Sequence, residues 1–414
     1  MRLVRSRLHA ILHALAILVL CAAGCDGGKK PFRGARDEEE PAKTRSDEPL
    51  TDEECQQFAA KFVEAVRAGD AEAVNGFIDW PKFMERGTRE IDLPDFLRRD
   101  LIRRYGTPVG RKGGIGRLIV NSIGNGGSYK HLRTHGTKVE PRVLFRALPA
   151  GGVTYHDGLL ARGADGRVKF IDLYLYHTGE LLSLTAQRLL LPDAIRANPD
   201  GLNHLNGLWR ELAANESKMV RMTKNINGGR PEDALKAYAE LPDLLMHDKN
   251  ALLMRLVAAK QIGGQTYIDA MEALRTHYPA DPCLDILSID YHVQKGEYTK
   301  ALEMVSRLET EVGGDPYLHA VRANIHFEAG DLAAARRAAN KAIEEEPTLR
   351  QPHERLLVIA LQEKNFDETL RLLRKLSDEF KLGFPDLTTV PDYADFVKSP
   401  RYQEWLKSHP VKKP

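Results

Sequence analysis

The chain is poor in the residues that usually betray chemistry. It has four cysteines in 414 residues, and none of them stands in a CxxC pair or in Cys/His zinc spacing. A zinc site or a disulfide framework is therefore not expected. No apolar run reaches the roughly 20 residues needed to cross a bilayer as a helix. A net charge of +2 leaves no whole-chain argument for nucleic acid, so none is expected as a partner. The glycine-rich stretch Gly110 to Gly116 lacks the Gly-Lys-Ser/Thr ending of a phosphate loop and reads as a loop. No nucleophile, metal set or oxyanion motif stands out, so the reading expects no enzyme, no cofactor and no metal. What the chain does have is 43% apolar residues and room for two or three packed domains.

The N-terminus carries a targeting pattern. Arg2, Arg5 and Arg7 precede an apolar stretch from Ile11 to Ala23, broken only by His13. This is the layout of a secretory signal, too short for a membrane span. It ends Ala22-Ala23-Gly24-Cys25, which resembles a bacterial lipobox. The resemblance implies cleavage before Cys25 and acylation of its thiol, with Ala22 standing where leucine is usual. Residues 1–25 are thus expected to be a lipoprotein signal, and the protein to be exported and anchored in a bacterial membrane, in the periplasm or cell envelope. An ordinary cleaved signal is the alternative. Residues 26–50, with the acidic run Asp37 to Glu40 and few apolar side chains, are expected to be a disordered tether. Beyond it only Cys55 and Cys283 remain.

Residues 51–190 read as one α+β domain. Thr51 with Glu54 forms a capping box ahead of Phe58, Phe62, Ala65 and Val66 at helical spacing. Further helices are expected from Ala71 and over Pro94 to Tyr105. The period then changes to two, predicting strands at Leu118 to Val120, Tyr129 to His135, Val139 to Leu148, Val153 to Ala161 and Val168 to His177. Helices followed by an antiparallel meander is an α+β order. That order resembles the cone-shaped fold of the nuclear transport factor 2-like superfamily, which implies a curved sheet around a pocket. His131 and His135 lie about 13 Å apart on such a strand, too far for one metal ion. Val168, Phe170, Asp172, Tyr174 and Tyr176 alternate onto one strand face. In a cone they would line a pocket, with Asp172 as a base and Tyr174 or Tyr176 as donor; core packing or a dimer face is the alternative. The basic cluster from Arg98 to Arg117 reads as a solvated face, with anionic lipid or an acidic partner as the alternative.

From residue 195 to 382 the chain is expected to be helical and repetitive. Asp281-Pro282, Gly296 and Ala301 return 34 residues later as Asp315-Pro316, Gly330 and Ala335. That is the length of one helix-turn-helix unit. Ala323, His326, Gly330, Ala335, Ala339, Ala342 and Pro347 together resemble a tetratricopeptide repeat. The resemblance implies about five units in an all-α solenoid, with a capping segment over 383–414. It also implies a groove lined by the first helices, at Ile286, Asp290, Val293 and Gln294, and at Tyr317, Ala320, Asn324, Phe327 and Glu328. The family's clamp for a C-terminal carboxylate pairs an asparagine with a lysine four earlier; Asn324 matches, but Ala320 replaces the lysine. The expected function is a membrane-anchored scaffold that binds a protein or peptide, held to the bilayer through acylated Cys25. The alternative is a small-ligand binder or enzyme working at the Asp172 pocket.

Overall fold

The computed structural model describes residues 49–89, 95–105, 114–124, 127–149, 152–186 and 207–409. The signal, Cys25, the tether and the segment at 191–194 where the sequence reading divides the chain lie outside them. The chain forms two compact units, which among the described residues are 49–287 and 288–409.

The first unit opens with α1 (Asp52–Arg67). Its capping box is formed: Glu54 N donates to Thr51 Oγ1 at 3.2 Å, and Thr51 N donates to Glu54 Oε2 at 2.9 Å. Arg162, from the far end of the sheet, clasps the same carboxylate at 2.9 and 3.2 Å. That contact first, and the Thr51 backbone bond second, pull the Glu54 carboxyl down to about 2. Helices α2 (Ala71–Gly76), α3 (Trp80–Arg89), α4 (Asp95–Tyr105) and α5 (Gly114–Ile123) follow. Helix α3 was not foreseen; Pro81 in its first turn removes an N–H that has no helical partner there. Helix α5 overturns the strand expected at Leu118 to Val120. Ile115, Ile119 and Ile123, four apart, are its buried residues, which is a helical period. At Gly116 this helix meets α2 so closely that Gly116 N donates to Asn75 Oδ1 at 2.7 Å.

The sheet is an antiparallel meander of β1 (Ser128–Gly136), β2 (Pro141–Leu148), β3 (Thr154–Arg162), β4 (Val168–Leu175) and β5 (Glu180–Leu181), in that spatial order. Helix α1 packs on one face. Phe58 and Phe62 from the helix meet Phe145 and Phe170 from the sheet with ring centroids 4.7–5.4 Å apart. Two bulges break the alternation read from the sequence. In β1, Leu132 is the extra residue between paired His131 and Arg133. In β4, Ile171 is the extra residue between Phe170 and Asp172. An extra residue shifts the pleat by one and sends later side chains to the other face. Phe170 accordingly joins Leu173 and Leu175 in the helix-packed core instead of sharing a face with Asp172. Gly158 makes room for the Phe170 ring, because any Cβ there would fall on it.

The β4–β5 turn reaches the helices that follow. Gly179 O accepts from Lys249 Nζ at 3.0 Å, and Lys249 pairs with Asp281 at 2.5 Å, both side chains being nearly buried. Beside them Cys283 is free and buried, and burial pushes its thiol up.

After the short helix α6 (Gly207–Ala214) come helix pairs: α7 (Glu216–Asn227) with α8 (Pro231–Ala239), then, past one turn α9 (Asp243–Met246), α10 (Lys249–Ile262) with α11 (Gly264–His277). The pairs continue with α12 (Cys283–Gln294) and α13 (Tyr298–Val312), α14 (Tyr317–Glu328) and α15 (Leu332–Glu345), and α16 (Arg350–Gln362) and α17 (Phe366–Asp378). Each pair turns at a left-handed residue, Gly229, Gly263 (with Gly264 beside it), Gly296, Gly330 and Lys364, spaced 34, 33, 34 and 34 apart. Glycine adopts that conformation at little cost, whereas Lys364 carries the steric penalty of its Cβ. In the second unit Ala323 of α14 and Ala335 and Ala339 of α15 are fully buried, a small-residue seam that lets the helices approach. Helix α18 (Pro400–Ser408) closes this core, with Phe396, Tyr402 and Trp405 packed on Leu372, Leu373 and Leu376.

Candidate functional site

In the second unit, α14 and α16, the first helices of consecutive pairs, share a face where several foreseen residues meet. Arg355 of α16 is the centre. Its Nε donates to Asn324 Oδ1 at 2.7 Å, and its guanidinium lies 4.3 Å from the Phe327 ring centroid. Arg355 is only 7% exposed, and its Nη1 has no hydrogen-bond partner. Burial pushes its pKa down to about 10, opposed by the charges of Glu328 and Glu354, so it stays cationic at neutral pH. Glu354 is held by Arg350 at 3.2 Å. Glu328, half-buried on the same face, makes no ion pair among the described residues.

Of the nine groove residues named from the repeat register, Asn324, Phe327 and Glu328 gather here. Val293 is half-buried and Gln294 exposed. Ile286, Asp290, Tyr317 and Ala320 are buried. Arg355 escaped the sequence reading. The signal was there: a lone arginine beside the apolar run Leu356 to Ala360, on the first helix of the unit after Asn324.

Asp172 is fully buried. It accepts from Ser183 Oγ at 2.6 Å, from the N–H groups of Leu173 and Ser183 at 2.8 and 3.2 Å, and from Arg86 Nε at 3.4 Å. Burial raises its pKa, and the Ser183 hydroxyl opposes the shift most. The carboxylate thus ties β4 to the residues after β5. The Tyr174 and Tyr176 rings meet edge to face at 5.3 Å, and Tyr176 meets Tyr155 at 5.7 Å.

The first bulge separates the two foreseen histidines. His131 packs on Phe145, on the helix-covered face. His135 bonds to Asp157 at 2.9 Å, and Arg142 holds the other oxygen at 2.9 Å. On the helix-facing side lie two further buried histidines. His156 Nδ1 meets the Tyr129 hydroxyl at 3.0 Å, and His177 Nδ1 meets Thr154 Oγ1 at 2.8 Å. Burial pushes them down to about 4 and about 3, so both are neutral.

Serine, histidine and aspartate meet at the end of α17. Ser377 Oγ lies 2.9 Å and Asp378 Oδ1 3.5 Å from His409, but both reach the same nitrogen, Nε2. A nucleophile relay needs them on opposite ring nitrogens. The adjoining open groove of about 540 Å³ is lined by Arg371, Arg374, Lys375 and Arg401 with Asp367 and Asp378. Three of its basic groups are engaged in ion pairs, Arg401 by Asp367 and Glu404, Lys375 by Glu379 and Arg371 by Glu368, and Arg374 donates to the Glu404 carbonyl at 3.4 Å. Among the described residues no group of three or more acidic, histidine or cysteine side chains is placed to hold a metal ion, and no helix is long and apolar enough to cross a membrane. Compared with known proteins, the chain matches no family model, no curated protein and no solved structure.

Proposed function

We propose that the protein is a membrane-anchored, exported scaffold of the tetratricopeptide-repeat kind, which binds a protein or peptide on the face formed by its first helices. The observation that carries this reading is the recurrence of one left-handed turn residue at 229, 263, 296, 330 and 364. Within 288–409 a fixed period makes consecutive pairs present their first helices in the same sense, and stacked units of this kind bind along that side. Asn324, Phe327, Glu328 and Arg355 sit on it in two consecutive units, with polar groups beside an aromatic ring. The α+β part, read as a cone-like domain, serves as spacer or second binding module. Acylated Cys25 is the bilayer anchor.

The test uses the full chain in its own membrane. Cys25→Ser is expected to move it from the detergent-requiring fraction to the soluble one. Phe327→Ala with Asn324→Ala is expected to abolish co-purification of a partner that accompanies the wild type, while circular dichroism shows the helices retained despite the lost Arg355 contacts. Unchanged partitioning removes the anchor from the reading; unchanged co-purification removes the face.

A further inference from the structure

We infer that the Arg355 subsite takes an internal, basic stretch of an extended peptide and not a terminal carboxylate. The inference rests on the peptide-binding reading above and adds the chemistry of the ligand. Two unsatisfied groups of opposite kind lie on this face. Arg355 Nη1 is a buried donor with no acceptor. Buried donors are nearly always paired, so an acceptor supplied from outside relieves a standing cost. Glu328 is a half-buried carboxylate that makes no ion pair among the described residues, though its charge reaches Arg355.

The charge balance decides which acceptor. Arg355 faces Glu328 and Glu354, and only Glu354 has its own cation, Arg350. Arg355 and Glu328 cancel, so the face exerts no net pull on a carboxylate, and Glu328 repels one directly. The lysine that would add a second positive charge is replaced by buried Ala320. Asn324 Oδ1 already accepts from Arg355 Nε, so the Nε–Nη edge is taken and only the Nη end of the guanidinium is left to a ligand. A neutral main-chain carbonyl meets the Nη1 donor without bringing charge. A lysine or arginine side chain from the same segment then finds Glu328, with the Phe327 ring alongside for its aliphatic stem.

The experiment measures binding of the full chain to three sets of ten-residue peptides. One set is N-acetylated and C-amidated with an internal Lys or Arg. The second is capped alike with Glu in that place. The third is neutral with a free C-terminal carboxylate. Wild type is expected to prefer the first set by about tenfold or more. In Glu328→Gln that preference disappears, and in Arg355→Met all sets weaken. Glu328→Gln, being half-exposed and unpaired, keeps the test valid if Arg355→Met does not fold. Preference for the third set, or a basic preference that survives Glu328→Gln, overturns the inference while leaving the peptide-binding reading standing. Failure of every set to bind overturns that reading itself.

Discussion

The sheet region and the paired helices of 288–409 bury similar kinds of side chain by opposite means. The sheet interlocks residues far apart in sequence: Phe58 and Phe62 against Phe145 and Phe170, and Glu54 against Arg162. It also encloses polar groups, namely Asp172, His156 and His177. The helix pairs use local rules: a left-handed turn, an alanine seam, and Asp331 or Asn365 as N-cap to the next helix. A core closed by long-range contacts has no neighbour to copy, so one substitution damages all of it. A repeat array spreads damage over nearest neighbours.

The sharpest way to break this contrast is Gly158→Ala. The new Cβ lands on the Phe170 ring, which Phe58 and Phe62 hold at 4.7 and 4.8 Å and so keep from moving aside. Overpacking of this severity costs about 3 kcal/mol. Urea titration followed by hydrogen exchange should show the loss in β2–β4 and leave α14–α17 protected.

Acid is next. His156 and His177 have folded pKa values below the ordinary 6.5, so the unfolded chain binds protons that the folded one refuses. Their stability contribution is complete above about pH 7 and is lost as pH falls through 6.5 toward 4. At pH 5.5 each accounts for on the order of 1 kcal/mol. In the other unit burial pushes only His353 as far, to about 4. Exchange protection in the sheet should therefore fall more than in α14–α17 between pH 7.5 and 5.5, and equal losses would erase the distinction.

Ala335→Leu comes third. Ala335 is fully buried in the seam, and a leucine there costs about 2 kcal/mol. Its neighbour Ala334 is also buried, at 8%, so the solvent-facing control is Ala333. Ala333→Leu should leave the melting temperature almost unchanged. The smallest effect runs the other way. Lys364 stands at φ +55° where the preceding unit has Gly330. Lys364→Gly is expected to stabilise by about 0.5–1 kcal/mol, visible as a small rise in urea midpoint.

The same contrast explains what the sequence disclosed. The 34-residue period and the alanine positions could be read directly, because each repeat states its rule again. The capping box at Thr51 and the order of the meander were equally plain. The faces of β1 and β4 were not, since each bulge is a single extra residue with no glycine or proline to mark it. Leu118 to Val120 looked like a strand because three adjacent apolar residues fit either period, and Ile115 and Ile123 had to be counted with Ile119. Arg355 was hidden for another reason. Its role depends on Asn324 and Phe327 in the preceding unit, a pairing visible only once α14 and α16 lie side by side.

The claim that the first-helix face is the binding face is tested most directly by position-specific cross-linking. A photoreactive amino acid is placed in the full-length chain at Glu328 on α14, or at exposed Arg337 on α15. Irradiation in cells should join a partner to the chain labelled at 328 and leave the chain labelled at 337 free. Cross-links at 337 and none at 328 would contradict the account.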